Sequence, residues 1–253
     1  MPVITATPRL WLPVTDASSP EESGTAIPTP ESAGVYEPTG NYTEMTVAGW
    51  SVLVHKKLLP DGELAETGSA ALERLENAMV RLKTWVAEDR LAKLLVVKHW
   101  LEVDSTRGPH GNTSAYQYHP GLDWLVDMDF NPAKHKCVEF GNAASLAKRN
   151  DERTVTVLLH ELAHAFHDQV LTFEHPEILA AYKRCVEGTA YPGNDWVKSD
   201  HKEFFAGVTT RYFGTRAERD ALVKRDPVLA KELLKIWGTP KATIDSDETS
   251  GKK

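Results

Sequence analysis

One stretch narrows the possible folds of this chain more than any other: Thr154-Val155-Thr156-Val157-Leu158-Leu159-His160-Glu161-Leu162-Ala163-His164-Ala165-Phe166-His167-Asp168. Its apolar residues recur at helical spacing around the pattern H-E-x-x-H, at His160, Glu161 and His164. In a helix, positions i and i+4 share a face, so both imidazoles can meet one ion while Glu161 points aside toward its water. Leu158, Leu159, Leu162, Ala163 and Phe166 surround the pair, and imidazoles on so apolar a helix need a partner. A metal ion is that partner. Catalytic zinc takes three protein ligands, keeps a fourth position for water and lowers the pKa of that water to about 7. Glu161 is then the candidate base.

Two histidines do not complete a ligand set. The extended pattern H-E-x-x-H-x-x-G-x-x-H fails here, because residue 167 is His and residue 170 is Val. The better third ligand is Glu203, in Asp200-His201-Lys202-Glu203-Phe204-Phe205-Ala206-Gly207, which opens a second helical pattern. A carboxylate from a second helix gives the His-His-Glu set of a gluzincin.

His160-Glu161-Leu162-Ala163-His164-Ala165 followed by Glu203-Phe204-Phe205-Ala206 resembles the metalloprotease domain of anthrax lethal factor and its relatives, including the Pro-Pro endopeptidases. The resemblance covers the stretch from Thr154 to Gly214. It implies a zincin-like fold, His160, His164 and Glu203 as zinc ligands and Glu161 as base. It also implies an oxyanion-stabilising tyrosine upstream of the third ligand, for which Tyr191 is the candidate and Tyr212 the runner-up. Two positions depart from the pattern: Ala163 stands where those relatives carry Gly, and Gly207 where they carry Glu.

At 253 residues, with 41% hydrophobic and 26% charged, the chain can bury one sizeable core. A single domain over 43–238 is expected, between a Pro/Ser/Thr-rich arm at 1–42 and a polar tail at 239–253. A net charge of −7 and a pI near 5.8 argue against a nucleic-acid surface. Two cysteines, Cys137 and Cys185, suit a reducing compartment and allow at most one bridge. No apolar run reaches the length of a membrane span and no leader pattern opens the chain, so a cytoplasmic or leaderless protein without a membrane partner is expected.

Along the chain, Arg9-Leu10-Trp11-Leu12 is the one apolar segment of the arm. Thr46 to Val54 alternates as a strand closed by Pro60-Asp61-Gly62, and a helix is predicted over Ala70 to Asp89. Leu94 to Val103 reads as a buried strand. Arg107 to Pro132 reads as a long irregular loop in which His110, Tyr118 and His119 could reach substrate. Lys136 to Phe140 reads as a short strand which, by analogy with zincins, edges the cleft and pairs with extended peptide. His167 could support a ligand or be a plain helix-face residue. Helices are predicted from Pro176, around Glu203 to about Tyr212, and from Ala217 to Ile236 with a break at Asp226-Pro227.

The expectation is an α+β zincin-like domain: a small twisted sheet, an active-site helix beneath it and a helical C-terminal half carrying Glu203. Its function would be that of a zinc metallopeptidase cleaving a peptide or protein substrate through a metal-activated water. The alternatives are a zinc-stabilised binding or effector module without catalysis, and a metal-free helical interaction domain.

Overall fold

The computed structural model of the protein describes residues 36–108, 111–193 and 195–242. The apolar arm segment at residues 9–12, His110 and the tail beyond 242 lie outside the described residues.

The chain enters the fold through β1 (Tyr42–Val47) and β2 (Trp50–His55), an antiparallel hairpin in which Val47 faces Trp50. Sequence alternation predicts one strand here, but the chain reverses at Ala48-Gly49, with φ of 50° and 99°. Two consecutive positive φ values give the tight mirror-image turn that matches strand twist. A two-residue turn leaves the alternation unbroken, which is why the reversal is silent in the pattern. Tyr42 already pairs with His55, and the Asn131 amide donates to the Glu37 carbonyl at 3.0 Å. The domain therefore begins before residue 43.

α1 (Ala65–Trp85) buries Leu72, Leu75, Met79, Leu82 and Trp85 along one face. α2 (Glu88–Leu94) follows, so the expected strand from Leu94 shrinks to β3 (His99–Leu101). The region read as an irregular loop is instead structured. It holds the short hairpin β4 (Arg107–Gly108) and β5 (Gly111–Asn112), the strand β6 (Tyr116–Tyr118) and α3 (Leu122–Asp127). β7 (Val138–Phe140) completes a five-stranded sheet of order β1-β2-β3-β7-β6, with β2, β3 and β7 parallel and both outer strands antiparallel.

One sheet face, with Val52, Val54, Leu101, Val138 and Phe140, joins the main core against α1 and α5 (Asp151–Phe166). The other face carries Tyr42, Trp100 and Cys137 in a separate small cluster. α4 (Ala143–Lys148), absent from the sequence reading, is started by Asn142, whose side chain accepts from the Ser145 N–H at 2.8 Å. The C-terminal half is helical as expected: α6 (Pro176–Glu187), α7 (His201–Phe213), α8 (Arg216–Arg225) and α9 (Pro227–Trp237). Asp226 ends α8 and caps α9, accepting from Val228 and Leu229. Cys137 and Cys185 are both buried free thiols, so no bridge links them. No helix among the described residues is long and apolar enough to cross a membrane. The molecule is thus a mixed α+β fold with a small sheet and a larger helical part.

Candidate metal centre

Two helices bring three side chains together. Asn150 starts α5 by accepting from the Arg153 N–H at 2.8 Å, and Asp151 and Glu152 fill its first turn, where carboxylates suit the helix dipole. Asp200 does the same for α7, accepting from Lys202 at 2.7 Å and Glu203 at 2.9 Å, so the backbone of Glu203 is fixed by its own cap. α5 packs along α7. The His160 and His164 Nε2 atoms lie 3.1 Å apart. Glu203 Oε2 is 3.2 Å from His160 Nε2, and Glu203 Oε1 is 3.3 Å from His164 Nε2. His160, His164 and Glu203 thus form a group that could hold a metal ion.

The electrostatics of this group favour positive charge at its centre. Hydrogen bonds from His160 and then His164 hold the Glu203 carboxyl well below the usual carboxylate range, against the opposing effect of burial. Burial disfavours charge on His164, but its hydrogen bond to Glu203 and the neighbouring Glu161 charge outweigh that and raise its pKa.

Glu161 is buried beside the pair, and its carboxylate accepts the backbone N–H of Tyr118 at 2.8 Å. Here the structure corrects the strand expectation. β7 lies inside the sheet between β3 and β6, so the strand bordering the site is β6, and Lys136–Phe140 has no free edge for a peptide. The Tyr118 hydroxyl donates to Asp168 Oδ2 at 2.7 Å and accepts from Gln169 at 3.0 Å. Asp168 and Gln169 lie in a five-residue π-helical segment, His167–Leu171, that continues α5. Tyr118 is therefore tied to α5 through its backbone and to the π segment through its ring.

His119 does not face the site. Its Nε2 lies 2.5 Å from Glu139 Oε2 on the opposite sheet face, within a buried charged network. Lys134 Nζ lies 2.7 Å from both Glu139 Oε1 and Glu102 Oε1, and the Tyr42 hydroxyl donates to Glu102 Oε2 at 2.6 Å. Burial alone would raise the Glu139 carboxyl, yet Lys134 and His119 outweigh it and hold its pKa at about 2. Sequence reasoning missed this network, although Glu139 between two apolar strand residues was a signal for it.

The contacts of both candidate oxyanion tyrosines are with residues other than the donor group. The Tyr191 ring packs on Phe204 and beneath Arg211 and Arg225, and its buried hydroxyl has no hydrogen-bond partner. Phe204 projects from a different side of α7 than its neighbour Glu203. Burial pushes the Tyr191 pKa up to about 12. The Tyr212 hydroxyl donates to the Gly238 carbonyl at 2.8 Å, at the end of α9. His167 is fully buried among Phe173, His201 and Phe205, with no hydrogen bond to His160 or His164. Trp196, unremarked in the sequence, lies with its ring centroid 5.3 Å from that of His160.

A second group, His175, Glu177 and Glu232, also converges, but there Lys235 Nζ lies 2.8 Å from Glu232 and Glu177 is exposed. No family model, curated protein or solved structure matches the chain, so its likeness to the lethal-factor peptidases rests on the two quoted motifs.

Proposed function

We propose that this chain is a zinc-dependent metalloendopeptidase in which His160, His164 and Glu203 hold the ion and Glu161 is the general base. The observation that carries the reading is the convergence of the three side chains: the two imidazole Nε2 atoms lie 3.1 Å apart, and one Glu203 oxygen lies 3.2 Å from His160 Nε2 while the other lies 3.3 Å from His164 Nε2. Ligands at about 2.0–2.1 Å in tetrahedral arrangement stand about 3.3 Å apart, so separations of this size suit one zinc ion held by the two imidazoles and the carboxylate. Two imidazoles and one carboxylate with a fourth position open is the donor set of hydrolytic sites, whereas structural sites are closed by Cys and His.

When bound, zinc would supply Lewis-acid polarisation of the scissile carbonyl and a more acidic water. Glu161 takes the proton of the attacking water as the C–O bond forms, and returns it to the amine nitrogen as the C–N bond breaks. The Tyr118 N–H orients the Glu161 carboxylate while leaving its second oxygen for that proton. The ion, held by His160, His164 and Glu203, would supply the charge that meets the developing oxyanion, and the Tyr191 and Tyr212 rings make their contacts elsewhere.

The second reading, a zinc-stabilised binding module without catalysis, draws support from the contacts of both tyrosines, which are with residues other than the donor group. Digesting a peptide library with the zinc-loaded chain, with and without chelator, separates the two. Chelator-sensitive cleavage is expected, and a fully loaded protein that cleaves nothing would leave the binding module.

A further inference from the structure

We propose that Trp196 forms a wall of the substrate cleft and selects peptides with an apolar side chain next to the scissile bond, an inference that rests on the peptidase reading above. Trp50, Trp85, Trp100 and Trp237 are sealed in the core, whereas Trp196 is 48% exposed. Its ring stands at 58° to the His160 imidazole, the ring that aims Nε2 into the donor group. Apolar surface left in water beside reactive groups is what a cleft offers to a ligand.

The chain gives up helix stability to keep the indole there. Gly207 lies in the interior of α7, where glycine costs roughly 1 kcal/mol relative to alanine. A Cβ on Gly207 would stand 2.6 Å from both Trp196 Cη2 and Val197 Cγ1, so the ring can lie on α7 only because that position is bare. The turn Trp196–Lys198 is held at both ends. Arg211 grips both oxygens of Asp195 at 2.9 and 3.0 Å, and the Tyr182 hydroxyl donates to the Lys198 carbonyl at 3.0 Å. The indole is thus pre-positioned, and binding against it orders little that is not already ordered.

The apolar face of the ring decides what it binds. A charged side chain of either sign would shed its hydration against the indole, whereas an apolar side chain gains by leaving water there.

The test is cleavage of a peptide library by the zinc-loaded wild type, Trp196→Ala and Gly207→Ala. The wild type is expected to favour an apolar residue at one position flanking the cut. Trp196→Ala should lose that preference, with KM for apolar peptides raised about tenfold, kcat little changed and one zinc per chain retained. Gly207→Ala should show the same loss by displacing the ring. If it fails to fold, Trp196→Phe, with a smaller ring at the same site, should show an intermediate preference. A wild-type preference that survives in Trp196→Ala, or a Trp196→Ala chain whose only defect is lost zinc, overturns the inference while leaving the peptidase standing. A loaded wild type that cleaves nothing ends both.

Discussion

The backbone N–H of Tyr118 donates to the carboxylate of Glu161 at 2.8 Å, joining the edge strand of the sheet to the helix that carries the metal-binding pattern. One oxygen of Glu161, the proposed base, is fixed by main chain. Glu161→Gln keeps the shape and an acceptor for that N–H but cannot take a proton. Its kcat/KM is expected to fall by about 10²–10⁴, the usual worth of a general base. Zinc content, by plasma emission spectrometry, should remain at one per chain. A fully active Gln variant would remove Glu161 from the mechanism.

Because the donors come from two helices, the ion should bind the folded chain and not the unfolded one. At free zinc 1,000-fold above Kd the gain is about 4 kcal/mol, read as a rise in thermal midpoint that a chelator abolishes. Glu203→Ala should lose most of this gain, measured against its own metal-free midpoint, which itself falls with the hydrogen bonds to His160 and His164. An equal zinc-dependent rise in Glu203→Ala would remove the third ligand.

The Glu139 network should hold β6 in register. Glu139→Gln leaves the buried Lys134 ammonium against Glu102 alone, and breaking such a pair costs about 3–5 kcal/mol. The folded Glu139 pKa of about 2 lies below the ordinary 4.5. Its contribution is therefore complete above roughly pH 4.5 and lost as pH falls toward about 2. Urea midpoints for wild type and Glu139→Gln should differ strongly at pH 7 and converge as the medium is acidified; a constant difference would contradict this.

His99 also makes the fold lose stability on acidification, through the unfolded chain. It is fully buried on β3, stacked on Phe140 at 14°, and burial pushes its pKa down to about 3. Below the ordinary 6.5 the unfolded chain binds a proton that the folded chain refuses. Stability then falls by up to about 1.4 kcal/mol per pH unit between roughly 6.5 and 3. His99→Phe should remove this component, so its denaturant midpoint should gain on wild type more at pH 5 than at pH 7.5. An equal gain at both values would show that His99 does not titrate in this way.

The residues with a strict local grammar were legible in the sequence. H-E-x-x-H lies on a helix as its spacing required, Glu203 converges on it, and the break at Asp226-Pro227 divides two helices where proline demands it. What stayed hidden depends on partners remote in sequence. The turn at Ala48-Gly49 lacks the usual Asn or Asp, and β6 is three residues long and exists through its pairing with β7. The family pattern points to Tyr191, but its neighbours Phe204, Arg211 and Arg225 are set by how α7 and α8 pack. Gly207, a mere departure in the motif, acquires a reason once Trp196 is seen above it.

Between the helix that supplies two of the converging donors and the helix that supplies the third runs a long excursion, α6 and the turn that bears the indole. An ion held at that junction would act as a clasp on the base of this excursion. Amide exchange in α6 and the following turn should then slow on loading far more than in the sheet, so occupancy would govern how long the cleft wall stays in place as well as the chemistry beside it.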